Sequence, residues 1–328
     1  MGKSNKKSLD LSNERRSGRV IRSTGSAYLV RLDTGDEVAC RIKGNFRIKG
    51  IRTTNPIAVG DLVEIAKAAD DSDYIVAIKP RQNYIIRKAT NLSKESHILA
   101  SNIDQAFLVA SLTNPSTSTI FIDRFLATAE AYNVKAAIII NKMDLWMEED
   151  TEYAYALKNL YESIGYQVFF LSATTKTGLS EIKESVKDKI TLLAGNSGVG
   201  KSSIINALVP GINLKTGEVS DIHHTGVHTT TFSEMIFLPE GGAIIDIPGV
   251  RGFGTIDFKA EEAGHYFPEI FRYAQDCKYG NCKHNSEPGC AVKEALENHY
   301  ISESRYASYL SILDEIENGD DAKYRKPF

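Results

Sequence analysis

The feature that most constrains this chain is the order of three short segments. Asn141-Lys142-Met143-Asp144 comes first, Gly195-Asn196-Ser197-Gly198-Val199-Gly200-Lys201-Ser202 second, and Asp246-Ile247-Pro248-Gly249 third. Each follows an apolar run that reads as a buried strand, at 134–140, 190–193 and 242–245. The second segment matches G-x-x-x-x-G-K-S, a loop whose backbone N–H groups cradle phosphates before a helix begins. The first has the composition of a purine-base reader, and the third sets an aspartate at a strand end, where a divalent cation is held. In the ordinary arrangement the phosphate loop leads and the base reader comes late. Here the order is reversed, so a sheet that gathers all three must connect its strands in a circularly permuted order. The alternation of apolar runs with helical segments at 122–132, 151–164, 179–186 and 201–208 predicts a mostly parallel sheet covered by helices.

The chemistry of the segments defines a guanine-nucleotide site. Gly195, Gly198 and Gly200 let successive N–H groups turn inward, with Asn196, Ser197 and Val199 completing the loop. Lys201 is expected to reach the β and γ phosphates and act in catalysis, Ser202 to ligate Mg²⁺, and Ser203 to lie in the same helix N-terminus, which favours anions. Asp144 can accept from both the ring N1–H and the exocyclic amine of guanine. Adenine presents the wrong pattern and would leave that acceptor unpaired. Asn141 is expected to brace the loops and Lys142 to cover one face of the base. Ser172-Ala173, after the strand at 167–171, is expected to offer a backbone N–H to the guanine carbonyl.

The remaining parts read as switches. Asp246 is expected to hold Mg²⁺ through water, and Gly249 to donate its N–H to the γ phosphate and relax when that phosphate leaves. Upstream, Thr225-Gly226-Val227-His228-Thr229-Thr230-Thr231 supplies a Mg²⁺ ligand, Thr230 by preference and Thr229 as runner-up. Together these describe a circularly permuted GTPase. Val250 stands where signalling GTPases place a water-orienting glutamine. Valine cannot orient water, so slow intrinsic turnover is expected. Either a partner completes the site or another residue positions the water. His228 is the internal candidate, with a merely structural histidine as the alternative.

The 328 residues allow two or three cores. Residues 1–16 read as a disordered basic leader and 17–83 as five short strands of an OB-like β-barrel. Residues 84–102 read as a polar linker, 103–256 as the permuted α/β domain, and 257–328 as a mostly helical zinc-binding domain. The net charge of −3 does not mark the whole chain as a nucleic-acid binder, yet residues 1–50 carry twelve Lys or Arg against five Asp or Glu. That imbalance fits either a solvated basic face or a phosphate-contacting surface. No run resembles a membrane-spanning helix or a secretory signal, so a cytoplasmic protein is expected.

Three of the four cysteines join a histidine in Cys277-x4-Cys282-x-His284-x5-Cys290. Three thiolates and an imidazole suit tetrahedral Zn²⁺, and four protein ligands favour a structural site over a catalytic one. Cys40 lies far from this cluster and reads as core.

With these motifs the chain closely resembles the RsgA family, also called YjeQ or YloQ. The resemblance runs from about Gly18 to Tyr309. It also rests on Gly226-Val227-His228-Thr229-Thr230-Thr231, on Asp246 through Gly254, on Glu287-Pro288-Gly289-Cys290, and on Arg305-Tyr306-x-x-Tyr309. The resemblance implies an OB barrel, a permuted GTPase and a zinc domain. It implies one structural Zn²⁺, and Mg²⁺ with GTP or GDP. It implies binding to the small ribosomal subunit and its rRNA late in maturation, hydrolysis stimulated by that subunit, and release once the decoding region is checked. It places His228 and the hydrophobe at 250 in an unusual catalytic arrangement. Asn196 stands where the family more usually has glutamine or proline, and Val227 replaces a commonly basic residue. A monomer is expected, with no membrane partner. Two readings compete with this one: an RNA-binding module with a vestigial nucleotide site, and a GTP-dependent regulator of a non-ribosomal protein. Intact Lys201, Ser202, Asp246 and Asp144 argue against the first.

The continuity of the 246–254 switch with the C-terminal domain further suggests that switch rearrangement moves or loosens that domain.

Overall fold

A computed structural model of the protein describes residues 11–24, 27–42, 56–88, 96–214, 233–247 and 259–318. The first five strands are β1 (Arg16–Ser23), β2 (Tyr28–Leu32), β3 (Glu37–Ile42), β4 (Leu62–Lys67) and β5 (Asp73–Ile78). They run in the order β1-β2-β3-β5-β4, and β4 returns to pair with β1. The result is a closed five-stranded barrel of OB type. Strand alternation turns Val20, Tyr28, Val30, Val63, Ile65 and Ile75 inward, and Cys40 joins them as core. Part of the expected leader is ordered: Leu11 bridges Ala68, and Ser12 N–H donates to the Lys67 carbonyl at 2.8 Å.

Residues 84–102 differ from the expected linker. They contain β6 (Tyr84–Lys88) and β7 (Ser96–Ser101), paired antiparallel. Ile85 and Ala100 are fully buried and belong to the central core, which gives this segment a reason to stay paired.

The α/β domain follows with β8 (Gln105–Ser111), α1 (Thr119–Ala131), β9 (Lys135–Asn141), α2 (Glu148–Ile164), β10 (Gln167–Phe170), α3 (Leu179–Val186), β11 (Ile190–Ala194), α4 (Lys201–Leu208), β12 (Glu234–Phe237) and β13 (Ala243–Asp246). The sheet order is β10-β9-β8-β11-β13-β12. The first five strands are parallel and β12 is antiparallel to β13. All seven residues of β8 are buried, as expected of a strand covered on both faces. Alternate side chains feed two cores. Leu108, Ile138 and Ile140 pack on one face, and Phe107, Val109 and Ile139 on the other. β12 also receives β1 of the barrel, with Arg22 opposite Glu234, so barrel and α/β domain share one continuous set of strands.

The C-terminal module contains α5 (Pro268–Ala274), α6 (Ala291–Glu297) and α7 (Glu303–Asn318). Its core of Phe267, Ile270, Val292, Tyr309 and Ile312 includes Ala127 from α1. The module therefore completes its core on a helix of the α/β domain. Among the described residues no helix is long and apolar enough to cross a membrane.

Candidate functional site

Because β8, β9, β10, β11 and β13 are parallel, their C-terminal ends lie on one edge of the sheet. Asn141, Ser172, the loop after Ala194 and Asp246 arrive there together. This is where open α/β sheets bind ligands. The strand carrying the phosphate loop, β11, is central, between β8 and β13, although both of those come from distant parts of the chain.

The phosphate loop runs from β11 into α4. Gly195, Gly198 and Gly200 all have positive φ, at 149°, 82° and 102°. At Gly200 the requirement is also spatial. A Cβ there would lie 2.3 Å from Asn141 Nδ2. That same Nδ2 donates to the Val199 carbonyl at 2.8 Å, while Asn141 Oδ1 accepts from Ala173 N–H at 3.2 Å. Asn141 thus braces two loops. Gly198 lies against Pro115, in the turn between β8 and α1. Lys142 has φ of 66° and donates through Nζ to the Asn114 carbonyl in the same turn.

Asp144 is exposed, in a short 3-10 turn, and its Oδ1 accepts from Ser172 Oγ. Ser172 Oγ also accepts from Thr175 N–H at 3.1 Å. The N–H groups of Ser172 and Ala173 differ from expectation, since both have acceptors within the protein: the Thr177 carbonyl and Asn141 Oδ1. In this arrangement the pair orients Asp144 and ties Asn141 in place, and neither N–H points free toward a base.

Lys201 donates to the carbonyls of Gly195 and Asn196, at 2.7 and 2.9 Å. Burial lowers its pKa and Asp246 opposes that shift. Ser202 and Ser203 follow in the first turn of α4, half-buried. Asp246 ends β13. Burial raises its pKa, Lys201 lowers it and Glu234 raises it. Its Oδ1 is buried with no hydrogen-bond partner among the described residues. An orphaned buried carboxylate oxygen is costly unless a cation or its water satisfies it, so the residue fits a divalent-cation site. Thr229, Thr230, His228, Gly249 and Val250 lie outside the described residues.

The second candidate site is the cysteine cluster. The ligand atoms of Cys277, Cys282, His284 and Cys290 all lie within 4.8 Å of one another. His284 Nδ1 is 3.5 Å from the sulfurs of both Cys277 and Cys290, and those sulfurs are 3.9 Å apart. Zinc bonds of about 2.3 Å to sulfur and about 2.0–2.1 Å to nitrogen give tetrahedral edges of about 3.8 Å and about 3.5 Å. The spacing therefore fits a metal ion of that size. Burial lowers the pKa of His284, favouring the neutral ligand form, and pushes the Cys282 thiol up to about 12 in the metal-free protein.

The scaffold around this cluster was not legible as such in the sequence. The Glu287 carboxylate accepts from the N–H groups of Lys283, Asn285 and Ser286 at 2.8, 3.0 and 3.1 Å. From α7, Tyr306 Oη donates to the His284 carbonyl at 2.5 Å and Tyr309 Oη to that of Lys283 at 2.7 Å. One turn away Arg305 is buried. It donates to Glu269 on α5 at 2.6 and 3.1 Å and to Asp123 on α1 at 2.7 Å. Burial opposes its charge, but Asp123 and Glu269 outweigh that and hold the guanidinium protonated. The Arg305-Tyr306-x-x-Tyr309 motif therefore fastens the metal loop to α7 and α7 to the α/β domain. The only signal for this role was the motif itself.

Comparison with known proteins places these features together. The family model for the RsgA GTPase matches residues 78–256, and that for the RsgA N-terminal domain matches residues 17–75. The chain belongs to the RsgA GTPase family. A protein from Phocaeicola vulgatus named small ribosomal subunit biogenesis GTPase RsgA is 58% identical, over 95% of this chain and 99% of that protein. One of the same name from Porphyromonas gingivalis is 54% identical over the same shares. The crystal structure of YjeQ from Thermotoga maritima superposes with a TM-score of 0.75 at 34% identity, covering 93% of this chain and 99% of that one. The structure of YloQ, described as a circularly permuted GTPase, gives 0.71 at 32% identity, covering 96% and 98%. The RsgA fold of barrel, permuted GTPase and C-terminal Cys3His module is thus the fold of this chain.

Proposed function

We propose that this protein hydrolyses GTP to GDP and phosphate while bound to the small ribosomal subunit in late maturation, and that the subunit stimulates turnover. The observation that carries the reading is the convergence of Asp144, the 195–202 loop and Asp246 on one sheet edge. They reach it from a permuted chain that also bears the Cys3His module. The names of the relatives supply the ribosomal context.

In this reading Asp144, aligned by Ser172, selects guanine, while Asn141 and Ala173 hold the base loop against the phosphate loop and Lys142 covers the base. Residues 195–200 surround the phosphates with N–H groups, Gly249 meets the γ phosphate, and Lys201 exchanges its two carbonyl partners for phosphate oxygens. Ser202, Asp246 and Thr230 would hold Mg²⁺, which would supply charge neutralisation for the phosphates. His228 and the hydrophobe Val250 take the place of a water-orienting glutamine. Cys277, Cys282, His284 and Cys290 hold one structural Zn²⁺. The protein acts as a monomer in the cytoplasm, on rRNA of the small subunit.

The test is GTP turnover, with ATP as control, alone and with purified small ribosomal subunits. Slow turnover restricted to GTP and rising at least about tenfold with the subunit is expected for a site completed by its partner. GTP binding without stimulation by the subunit would overturn the ribosomal part of the reading. Equal use of ATP would overturn the role of Asp144.

A further inference from the structure

β12 is the strand on which the barrel and the nucleotide-binding sheet meet. Arg22 of β1 stands opposite Glu234 of β12, and its guanidinium holds one oxygen of that carboxylate through Nε, at 2.9 Å, and Nη2. Glu234 in turn stands opposite Asp246 of β13. Directly opposed residues of antiparallel strands share a face, with Cβ atoms about 4.5–5.5 Å apart. The three side chains therefore form a row across the seam. It runs from a cation of the barrel, through a carboxylate of the seam strand, to the aspartate whose Oδ1 is buried without a partner among the described residues. Glu234 is also among the first described residues after the 215–232 segment, which contains the threonine run.

We propose that Glu234 is a positioning residue for the divalent cation of the nucleotide site, and that Arg22 sets its strength according to whether the barrel is docked. This rests on the GTPase reading of that site. With the barrel docked, Arg22 neutralises Glu234, and the cation meets the charge of Asp246 alone. When β1 is drawn away from β12, Glu234 is released and its negative charge adds to that of Asp246. Barrel position is thereby converted into cation affinity, with no long-range rearrangement of the sheet. Both side chains are 47% exposed, so water and salt screen the pair and the effect is a few-fold rather than large.

The experiment is a double-mutant cycle on the full-length protein. Its readout is the Mg²⁺ concentration that half-maximally slows release of a fluorescent GDP analogue. Arg22→Gln is expected to lower that concentration about threefold, an amount typical of a half-exposed ion pair, whereas Glu234→Gln, which removes a charge already neutralised, is expected to leave it close to the wild-type value. In the Glu234→Gln background, Arg22→Gln should have little remaining effect. The coupling should also shrink as ionic strength rises, which a packing role would not do. An unchanged midpoint in Arg22→Gln overturns the proposal, as does an effect that persists undiminished without Glu234. If the wild-type protein bound no guanine nucleotide, the proposed function itself would fail. Nucleotide binding with a flat cycle would remove only the role given to Arg22 and Glu234.

Discussion

The two flanking modules meet the GTPase domain through seams of opposite character. The barrel joins at the edge of a sheet. There a half-exposed Arg22–Glu234 pair lies beside the stacking of Arg31 over Phe237 at 4.1 Å, and Ile21 reaches the central core. The Cys3His module joins on a helix. There Asp123 and Arg305 are almost completely removed from solvent, Glu269 closes the triad, and Ala127 of α1 sits inside the module's own core. A second pair, Arg124–Glu315 at 2.7 Å, ties the same two helices. Breaking a buried triad leaves uncompensated charge, whereas separating a half-exposed pair returns both partners to water. The contact of β1 with β12 can therefore open at low cost, whereas the seam of the Cys3His module cannot, and neither can the barrel's second attachment, where buried Asp61 is held by Arg81 and Ser101. The buried seam on α1 holds the C-terminal module to the GTPase body.

The largest effect should come from metal removal. Structural zinc contributes about 10 kcal/mol or more in isolated motifs. Here the module retains Arg305 and the shared core, so chelation should unfold the 277–290 loop and lower the melting temperature without dissolving the GTPase domain. Calorimetry with and without chelator checks this, and an unchanged trace would show that the cluster holds no stabilising metal. Protons compete with metal for the same thiols and imidazole, so metal loss should become easier as pH falls.

Arg305→Ala comes next. It strands Asp123 and Glu269 in the interior, at an expected cost of about 3–5 kcal/mol. Chemical denaturation should report that loss, and limited proteolysis should cut first in α5–α7. A loss below about 1 kcal/mol would put the two seams on an equal footing.

Tyr309→Phe removes only the hydroxyl that serves the Lys283 carbonyl. About 1–2 kcal/mol is expected, seen as weaker metal retention in a chelator competition assay. Smallest of all, Arg22→Ala should change global stability by less than about 1 kcal/mol. A loss comparable to that of Arg305→Ala would mean that the barrel seam is as fixed as the other.

What could be read from the sequence was what is written locally. The helix from Lys201 starts where Gly200 permits a left-handed entry, and α3 follows the spacing of Leu179, Ile182 and Val186. The four side chains of the Cys3His cluster were legible because their spacing within one loop already suits them to hold a metal. What could not be read depends on partners far along the chain. Asp123 and Arg305 are separated by 182 positions, and each alone looks like an ordinary surface charge. Closure of the barrel by Arg16–Arg19 against Leu62–Ile65 is equally non-local. The hairpin of β6 and β7 escaped notice because its apolar stretches are short and separated by polar residues, so the burial of Ile85 and Ala100 is apparent only once the core is assembled. That the Ser172 hydroxyl faces Asp144 is likewise visible only in the fold.

The central position of β11 has a consequence for the order in which the protein takes shape during synthesis. Chains emerge and fold from the N-terminus. The barrel, the base reader and the three strands β8, β9 and β10 all leave the ribosome before Ile190–Ala194. Until then β8 has a bare edge, and the nascent protein has Asp144 but nothing to hold a phosphate. Insertion of β11, followed by β13 on its far side, brings the phosphate loop and Asp246 to the nucleotide pocket. A guanine nucleotide is therefore a ligand that the growing chain acquires late, after its first module has already formed.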